Sequence, residues 1–338
     1  MPSFSSIIAP LLLVCSLLTA IISDDSAPRH QDAHSKRAQS TPQADKTRRA
    51  ILVTGASTGI GRKTAEHLAK KGFFVYAGAR KKKDLKELSA IENIQGIRLD
   101  VTVQSEIDAA VATIEKAGRG LFGLINNAGV AVLAPLIEVS EKDFHFQMNV
   151  NLYGPYRVTK GFAPLIMKSK GRISTTGSLS GVATWGMGGP YCMSKHAIEA
   201  YSDVLAQEMR RFGVKVSMIE PGNYRSKITA SMRKRFEDEG FSTEGSLYKR
   251  RLDSLLTAPK RENQEKEPDE VAEAFYRAMT DKNPKRRYLV VPNQVEAGIT
   301  IRSVITRLAQ LNADHPYSYN REQLIEMLDR ALEHQKNR

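Results

Sequence analysis

The chain has 338 residues, enough for one large α/β domain with extensions or for two small domains. Hydrophobic residues make up 41% and charged residues 26%, the balance of a soluble globular enzyme, and the formal net charge is +13. That excess suits an anionic partner such as nucleic acid, a membrane surface or a phosphorylated ligand. No RNA-binding aromatic signature or zinc-finger spacing accompanies it and the basic residues are dispersed, which argues against nucleic acid. The two cysteines, Cys15 and Cys192, make no disulfide framework, and the seven histidines have no ligand spacing, so no metal site is expected.

Residues 7–22 form an apolar run broken only by Pro10, Ser16 and Thr19. It is short for a spanning helix and about right for a signal-peptide core. No Lys or Arg precedes it, Ile21-Ile22-Ser23 is a poor cleavage site, and the positive residues Arg29, Lys36, Arg37, Lys46, Arg48 and Arg49 follow it. The positive-inside rule therefore favours an uncleaved signal anchor and a membrane-associated protein. Export after cleavage and a misassigned start codon are the alternatives. Residues 1–23 are thus assigned as the apolar segment and 24–49, polar throughout, as a disordered linker.

From residue 50 the pattern alternates. Short apolar runs at 50–54, 73–77, 96–99, 121–125, 172–176 and 214–219 read as buried parallel strands, and a last strand is expected at 287–292. Between them, helices are expected at 59–71, 83–91, 105–116 (with Ser105 as N-cap), 141–168 and 191–212. Strand–helix alternation at this spacing implies right-handed crossovers and one doubly wound parallel sheet. Residues 227–266, rich in charge, suit a mobile helical flap, and Pro268-Asp269-Glu270 opens another amphipathic helix. The folded domain is assigned to 50–294 and a helical C-terminal extension, expected to pack against the sheet, to 295–338.

Between the first strand and first helix lies Thr54-Gly55-Ala56-Ser57-Thr58-Gly59-Ile60-Gly61. Glycines there permit a tight turn and close approach of backbone to a pyrophosphate, which the helix N-terminus then faces. Further along come Asn126-Asn127-Ala128-Gly129, then Asn151-Leu152-Tyr153-Gly154, then Ser178 thirteen residues before Tyr191, then Tyr191-Cys192-Met193-Ser194-Lys195, and finally Pro221-Gly222 with Ser226. In that order and spacing the set resembles the short-chain dehydrogenases/reductases over roughly residues 50–292, with Ser226 where the family usually has Thr. Glu220-Pro221-Gly222-Asn223-Tyr224, the long segment after Ser226 and the Arg-Arg-Tyr strand look like its hydroxysteroid/retinol dehydrogenase branch.

The resemblance implies a single doubly wound (Rossmann) sheet of about seven strands flanked by helices. It also implies an alcohol–carbonyl oxidoreductase with Asn151, Ser178, Tyr191 and Lys195 as its catalytic residues. A lone tyrosine hydroxyl, with a reference pKa near 10, is a poor base at neutral pH; a lysine one helical turn later lowers it electrostatically. Ser178 would orient the substrate oxygen, and Asn151 would kink the long helix and hold a water. Cofactor contacts are expected from Gly55, Ser57, Thr58, Gly59, Ile60, Gly61, Arg80, Asp100, Val101, Asn127, Tyr191, Lys195, Pro221, Gly222 and Ser226. The second strand ends Ala79-Arg80 where NAD enzymes of this fold carry an acid, and an arginine can bind a 2′-phosphate bidentately, so NADP is favoured over NAD. Thr58, standing where many NADP enzymes have a second basic residue, keeps NAD open. The expected partners are a small lipophilic alcohol or carbonyl compound and, by family habit, a second copy of the chain. The remaining alternatives are an NAD(H)-dependent dehydrogenase of the same family and a non-enzymatic dinucleotide-binding sensor.

Overall fold

The structure, a computed structural model, describes residues 47–258 and 265–336. The apolar run at 7–22 and most of the expected linker lie outside them. Among the described residues no helix is long and apolar enough to cross a membrane.

Seven parallel strands form one sheet in the order β3-β2-β1-β4-β5-β6-β7. They are β1 Ala50–Val53, β2 Phe74–Ala79, β3 Ile94–Arg98, β4 Gly123–Asn126, β5 Arg172–Thr176, β6 Lys215–Pro221 and β7 Arg287–Val290. Helices α1 (Gly59–Lys70), α2 (Lys82–Ser89) and α3 (Gln104–Ala117) connect the first half. Beyond β4 come α4 (Glu141–Met148), α5 (Gly154–Lys168), α6 (Gly189–Met209), α7 (Ile228–Asp238), α8 (Lys249–Thr257) and α9 (Asp269–Thr280).

Both faces of the sheet are covered, which is why its strands read as continuous apolar runs. Successive residues of β1 serve opposite cores. Ile51 and Val53 pack with Leu68 of α1 and Phe275 and Met279 of α9, whereas Leu52 packs with Ile107 of α3 and Phe162 of α5. All of these side chains are fully buried. Each such burial stabilises the fold by roughly 1.5–3 kcal/mol relative to exposure.

The strand order reverses between β1 and β4. Their carboxyl ends therefore diverge into a crevice, the place where ligands bind in open α/β sheets. The Thr54–Gly61 turn leaves β1 there and Asn126–Gly129 leaves β4 there.

The expected 141–168 helix is one run interrupted by a π-turn at Asn149–Tyr153, centred on Asn151. Pro155 follows, and it has no N–H to return to residue 151 in the α-register. Two expectations are corrected. Helix α3 starts at Gln104 behind Val103, so Ser105 is not its cap; Glu106 of the first turn instead reaches back to the Asp100 N–H at 2.7 Å. The C-terminal extension is helical, as α10 (Gln294–Leu311) and α11 (Arg321–Lys336), but does not bury a face on the sheet. Thr300 is the buried residue of α10 and α11 has none; the apolar stripe of Ile301, Val304, Ile305 and Leu308 on α10 stays exposed.

Candidate active site

The glycine turn is built for close approach. Gly55 and Gly59 have φ of +64° and +56°, in the left-handed region that favours glycine. A Cβ on Gly61 would stand 2.3 Å from both Asn127 Nδ2 and the Gly55 carbonyl, so that position tolerates no side chain. Ser57, Thr58 and Ile60 stand half-buried along the turn, with Thr58 extended as the residue before α1 and making no side-chain cap. Ser226, 167 residues on, meets the same turn: its backbone and Cβ lie 3.3 Å from where a Gly59 Cβ would be.

Asn127 ties this turn to the centre of the sheet. Its Nδ2 donates to the carbonyls of Thr54 (3.1 Å) and Gly55 (3.2 Å), while its Oδ1 accepts from Thr176 Oγ1 at 3.3 Å. The Thr176 carbonyl in turn accepts from Lys195 Nζ at 2.8 Å. A continuous hydrogen-bonded path thus runs from the glycine turn to the lysine of α6.

Lys195 is buried, and its ammonium stands 5.8 Å from the centroid of the Tyr191 ring. Burial pushes its pKa down to about 8, against the opposing pull of Glu199 one turn on. Burial pushes the Tyr191 hydroxyl up from its ordinary value, and a hydrogen bond with Ser178 opposes that rise. Ser178 Oγ also meets Ser180, donating to its Oγ at 3.1 Å and accepting from its N–H at 3.1 Å. Ser178, Tyr191 and Lys195 therefore converge.

Asn151 is buried nearby, but its side chain is clipped to backbone: Oδ1 accepts from the Val130 N–H at 2.9 Å and Nδ2 donates to the Val130 carbonyl at 3.0 Å. Nδ2 also lies 3.2 Å from Ser194 Oγ, which donates to the Tyr191 carbonyl at 2.7 Å. Asn151 thus reaches the Tyr191 turn through Ser194. Gln147, fully buried one turn before Asn151, repeats the pattern on Val130 and Val132. In the sequence Gln147 shows only as an amide four residues before Asn151, which does not set it apart.

At the other end of the crevice Arg80 follows β2 with its side chain 65% exposed, 3.5 Å from Asp100 Oδ2. Burial works against the Asp100 charge, yet hydrogen bonds from Thr102 and the nearby guanidinium hold its carboxyl below the usual range. Val101 turns inward instead, packing on Gly154. Pro221 ends β6. Gly222 follows against Glu296 of α10, whose carboxylate accepts from the Asn223 N–H at 2.9 Å.

Two exposed apolar side chains, Trp185 and Leu136, stand close to the start of the Tyr191 turn. The Trp185 ring is 6.3 Å from that of Tyr191, Leu136 packs at Gly189, and the Ser246 hydroxyl and Leu247 N–H bind Glu138, next to Ile137. Leu136, Ile137, Trp185 and Leu247 are all exposed. Burial pushes the Cys192 thiol up, as expected of a packed sulfur rather than a nucleophile.

Residues 49–237 match the family model described as short chain dehydrogenase. The mitochondrial D-beta-hydroxybutyrate dehydrogenase of Mus musculus is 39% identical over 186 residues, 52% of this chain and 54% of that one. The chain thus spans about half the length of the first curated relatives it matches. Retinol dehydrogenase 7 of Mus musculus is 33% identical over 250 residues, covering 70% and 79%. Among solved structures, an actinorhodin polyketide ketoreductase with NADPH aligns with a TM-score of 0.60 at 26% identity, over 73% of this chain and 96% of that one. A short chain dehydrogenase/reductase from Burkholderia phymatum in complex with NAD aligns with a TM-score of 0.64 at 23% identity, over 80% and 98%.

Proposed function

The chain belongs to the short-chain dehydrogenase/reductase family, in its hydroxysteroid/retinol-like branch, and from that premise we propose that it is an NADP(H)-dependent oxidoreductase interconverting an alcohol and a carbonyl on a lipophilic substrate. The observation that carries the reading is the convergence of Ser178, Tyr191 and Lys195, with Asn151 bound to the same turn through Ser194. A surface Tyr–Lys pair would have no reason to be buried, nor to share a hydrogen-bonded path with a glycine turn 140 residues away.

The residues present fit a dinucleotide. Backbone without Cβ at Gly55, Gly59 and Gly61 makes a cradle for the pyrophosphate, with Ser57, Thr58 and Ile60 along its rim. Arg80 would meet the 2′-phosphate, Asp100 and Val101 the adenine, Asn127, Tyr191 and Lys195 the nicotinamide riboside, and Pro221, Gly222 and Ser226 the nicotinamide side. The bound cofactor supplies or accepts the hydride. In the reductive direction Ser178 Oγ donates a hydrogen bond to the substrate carbonyl oxygen and orients it. Tyr191 gives that oxygen the phenolic proton, and the Lys195 ammonium stabilises the tyrosinate left behind. Asn151 keeps the π-turn and the Tyr191 turn in register.

The lipophilic substrate class is supported by the exposed rim of Leu136, Ile137, Trp185 and Leu247. An N-terminal anchor at residues 7–22 would keep the enzyme at a membrane, where a lipophilic substrate dissolves. Exposed Tyr153 and Tyr156 by the start of α5, with Val204 on α6 and Phe212 just beyond it, support pairing of two copies through these helices. The NAD(H) reading keeps one observation in its favour: Arg80 already has a carboxylate partner in Asp100. A panel of lipophilic ketones and alcohols assayed with NADPH and NADH tests both readings. Turnover with NADPH is expected; turnover only with NADH would replace the cofactor assignment, and none on the whole panel would remove the substrate class.

A further inference from the structure

Behind the Tyr191–Lys195 face lies a group of charges that the proposed reaction does not use. Glu199 stands one helical turn after Lys195 on α6, and Glu220 stands near the end of β6, next to Pro221. Both are more than nine-tenths buried, at 8% and 4% exposure. Arg287, the first residue of β7, reaches both: Nη2 lies 3.1 Å from Glu199 Oε2 and Nε lies 3.3 Å from Glu220 Oε1. The same guanidinium binds Asp203 Oδ2 at 2.7 Å. The guanidinium is thus shared by three carboxylates, two of them buried. Burial, then the neighbouring Glu199, pushes Glu220 up to about 7.

Glu199 has a second set of neighbours. A Cβ on Gly177 would come within 2.7 Å of its Oε1, and one on Gly181 within 2.9 Å of its Cγ. These glycines flank Ser178. The carboxyl one helical turn after Lys195 is therefore also the floor of the segment that holds Ser178. Among the described residues the charged groups around it are Lys195 and Asp203 from α6, Glu220 from β6 and Arg287 of β7, with Arg286 on Asp203.

We propose that Glu199 is a positioning residue: its buried carboxylate keeps the Lys195 ammonium charged and floors the Ser178 segment, while Glu220 and Arg287 hold that carboxylate in place. The proposal rests on the reading of Lys195 as the partner of Tyr191, and it adds a reason for two carboxyls to be buried where a hydrophobic cluster would have served the fold. It also links the carboxyl end of β6, from which Pro221 and Gly222 extend into the cofactor crevice, to the α6 turn that carries Lys195.

The test needs neither substrate nor cofactor, so its outcome is separate from whether a carbonyl compound is turned over. The full chain is labelled with carbon-13 at lysine Cε, and the Lys195 resonance is assigned by its loss in Lys195→Arg. In Glu199→Gln, which keeps the volume and removes the charge, Lys195 is expected to titrate about one pH unit lower than in wild type. In Glu220→Gln the displacement is expected to be smaller. The wild-type resonance carries a readout that does not depend on any variant folding, an additional inflection near neutrality as the Glu199–Glu220 pair gains its proton. A Lys195 titration unchanged in Glu199→Gln, or a wild-type resonance with no inflection but its own, would overturn the proposal. A merely structural Glu199 would move the unfolding temperature and leave both titrations where they are.

Discussion

The Lys195 ammonium stands 5.8 Å from the centre of the Tyr191 ring and is anchored on the Thr176 carbonyl at 2.8 Å. A charge fixed by backbone at this distance acts on the hydroxyl through a partly desolvated medium, where electrostatic effects are stronger than in water. Replacing Lys195 by Met should therefore damage two functions together. Cofactor affinity should fall, and so should the rate of the chemical step, by about 10²–10⁴-fold, the usual scale of acid–base assistance. Fluorescence titration with NADPH and single-turnover kinetics measure the two separately; both unchanged would take Lys195 out of the site.

The pH profile follows from the same residue. Burial lowers its pKa to about 8, so Lys195 is charged below that pH and neutral above it. Carbonyl reduction, which needs the ammonium to stabilise the tyrosinate, should be level below about pH 8 and decline above it. A rate that rises through this range would contradict the assignment.

Glu220 predicts a stability effect of opposite origin. Its pKa is raised in the folded state from 4.5 to about 7. Such a group binds its proton more tightly when folded, so its contribution is fully present below about pH 4.5 and is lost as pH rises through 7. Glu220→Gln should flatten the decline of unfolding temperature with pH over this window relative to wild type. Parallel curves for the two proteins would show that the carboxyl does not titrate there.

Gly61→Ala tests the cradle. The added methyl has backbone and Asn127 in its way at 2.3 Å, and overpacking of this kind costs roughly 1–3 kcal/mol. A drop in unfolding temperature together with weakened NADPH binding is expected. Unchanged binding would mean that the turn does not approach a phosphate.

Arg80→Asp tests the cofactor preference. Its side chain is 65% exposed and stands 3.5 Å from Asp100 Oδ2, a contact long enough for the guanidinium to turn to a 2′-phosphate. The ratio of kcat/KM for NADPH to that for NADH should fall by on the order of a hundredfold, since an attraction is replaced by a repulsion. The assay requires fixed salt because screening weakens exposed pairs. A wild-type preference for NADH would overturn the NADP assignment.

The centre of the sheet was legible where a short apolar run meets a glycine or asparagine, as in Ala50–Val53 at the head of the glycine turn and Gly123–Asn126. The proposed catalytic pair was legible because Tyr191 and Lys195 stand one helical turn apart. What joins distant segments was not. The clasp of Arg287 on Glu199 and Glu220 depends on β7 lying beside β6, a pairing of strands that no local pattern encodes. Gln147 looked like any polar helix residue until the π-turn aligned it with Val130. The extension differs from expectation for another reason: Ile301, Val304, Ile305 and Leu308 of α10 fall on one apolar stripe, the pattern that suggests packing, yet nothing among the described residues covers it.

The central claim is that Tyr191 passes its proton to and from the substrate oxygen. Tyr191→Phe removes one oxygen and leaves the ring beside Trp185 in place, so the rate of NADPH-dependent carbonyl reduction, measured with cofactor affinity in the same preparation, is the direct test. The account predicts turnover below about a hundredth of wild type with NADPH binding nearly intact. Retention of more than about a tenth of the wild-type rate would contradict it.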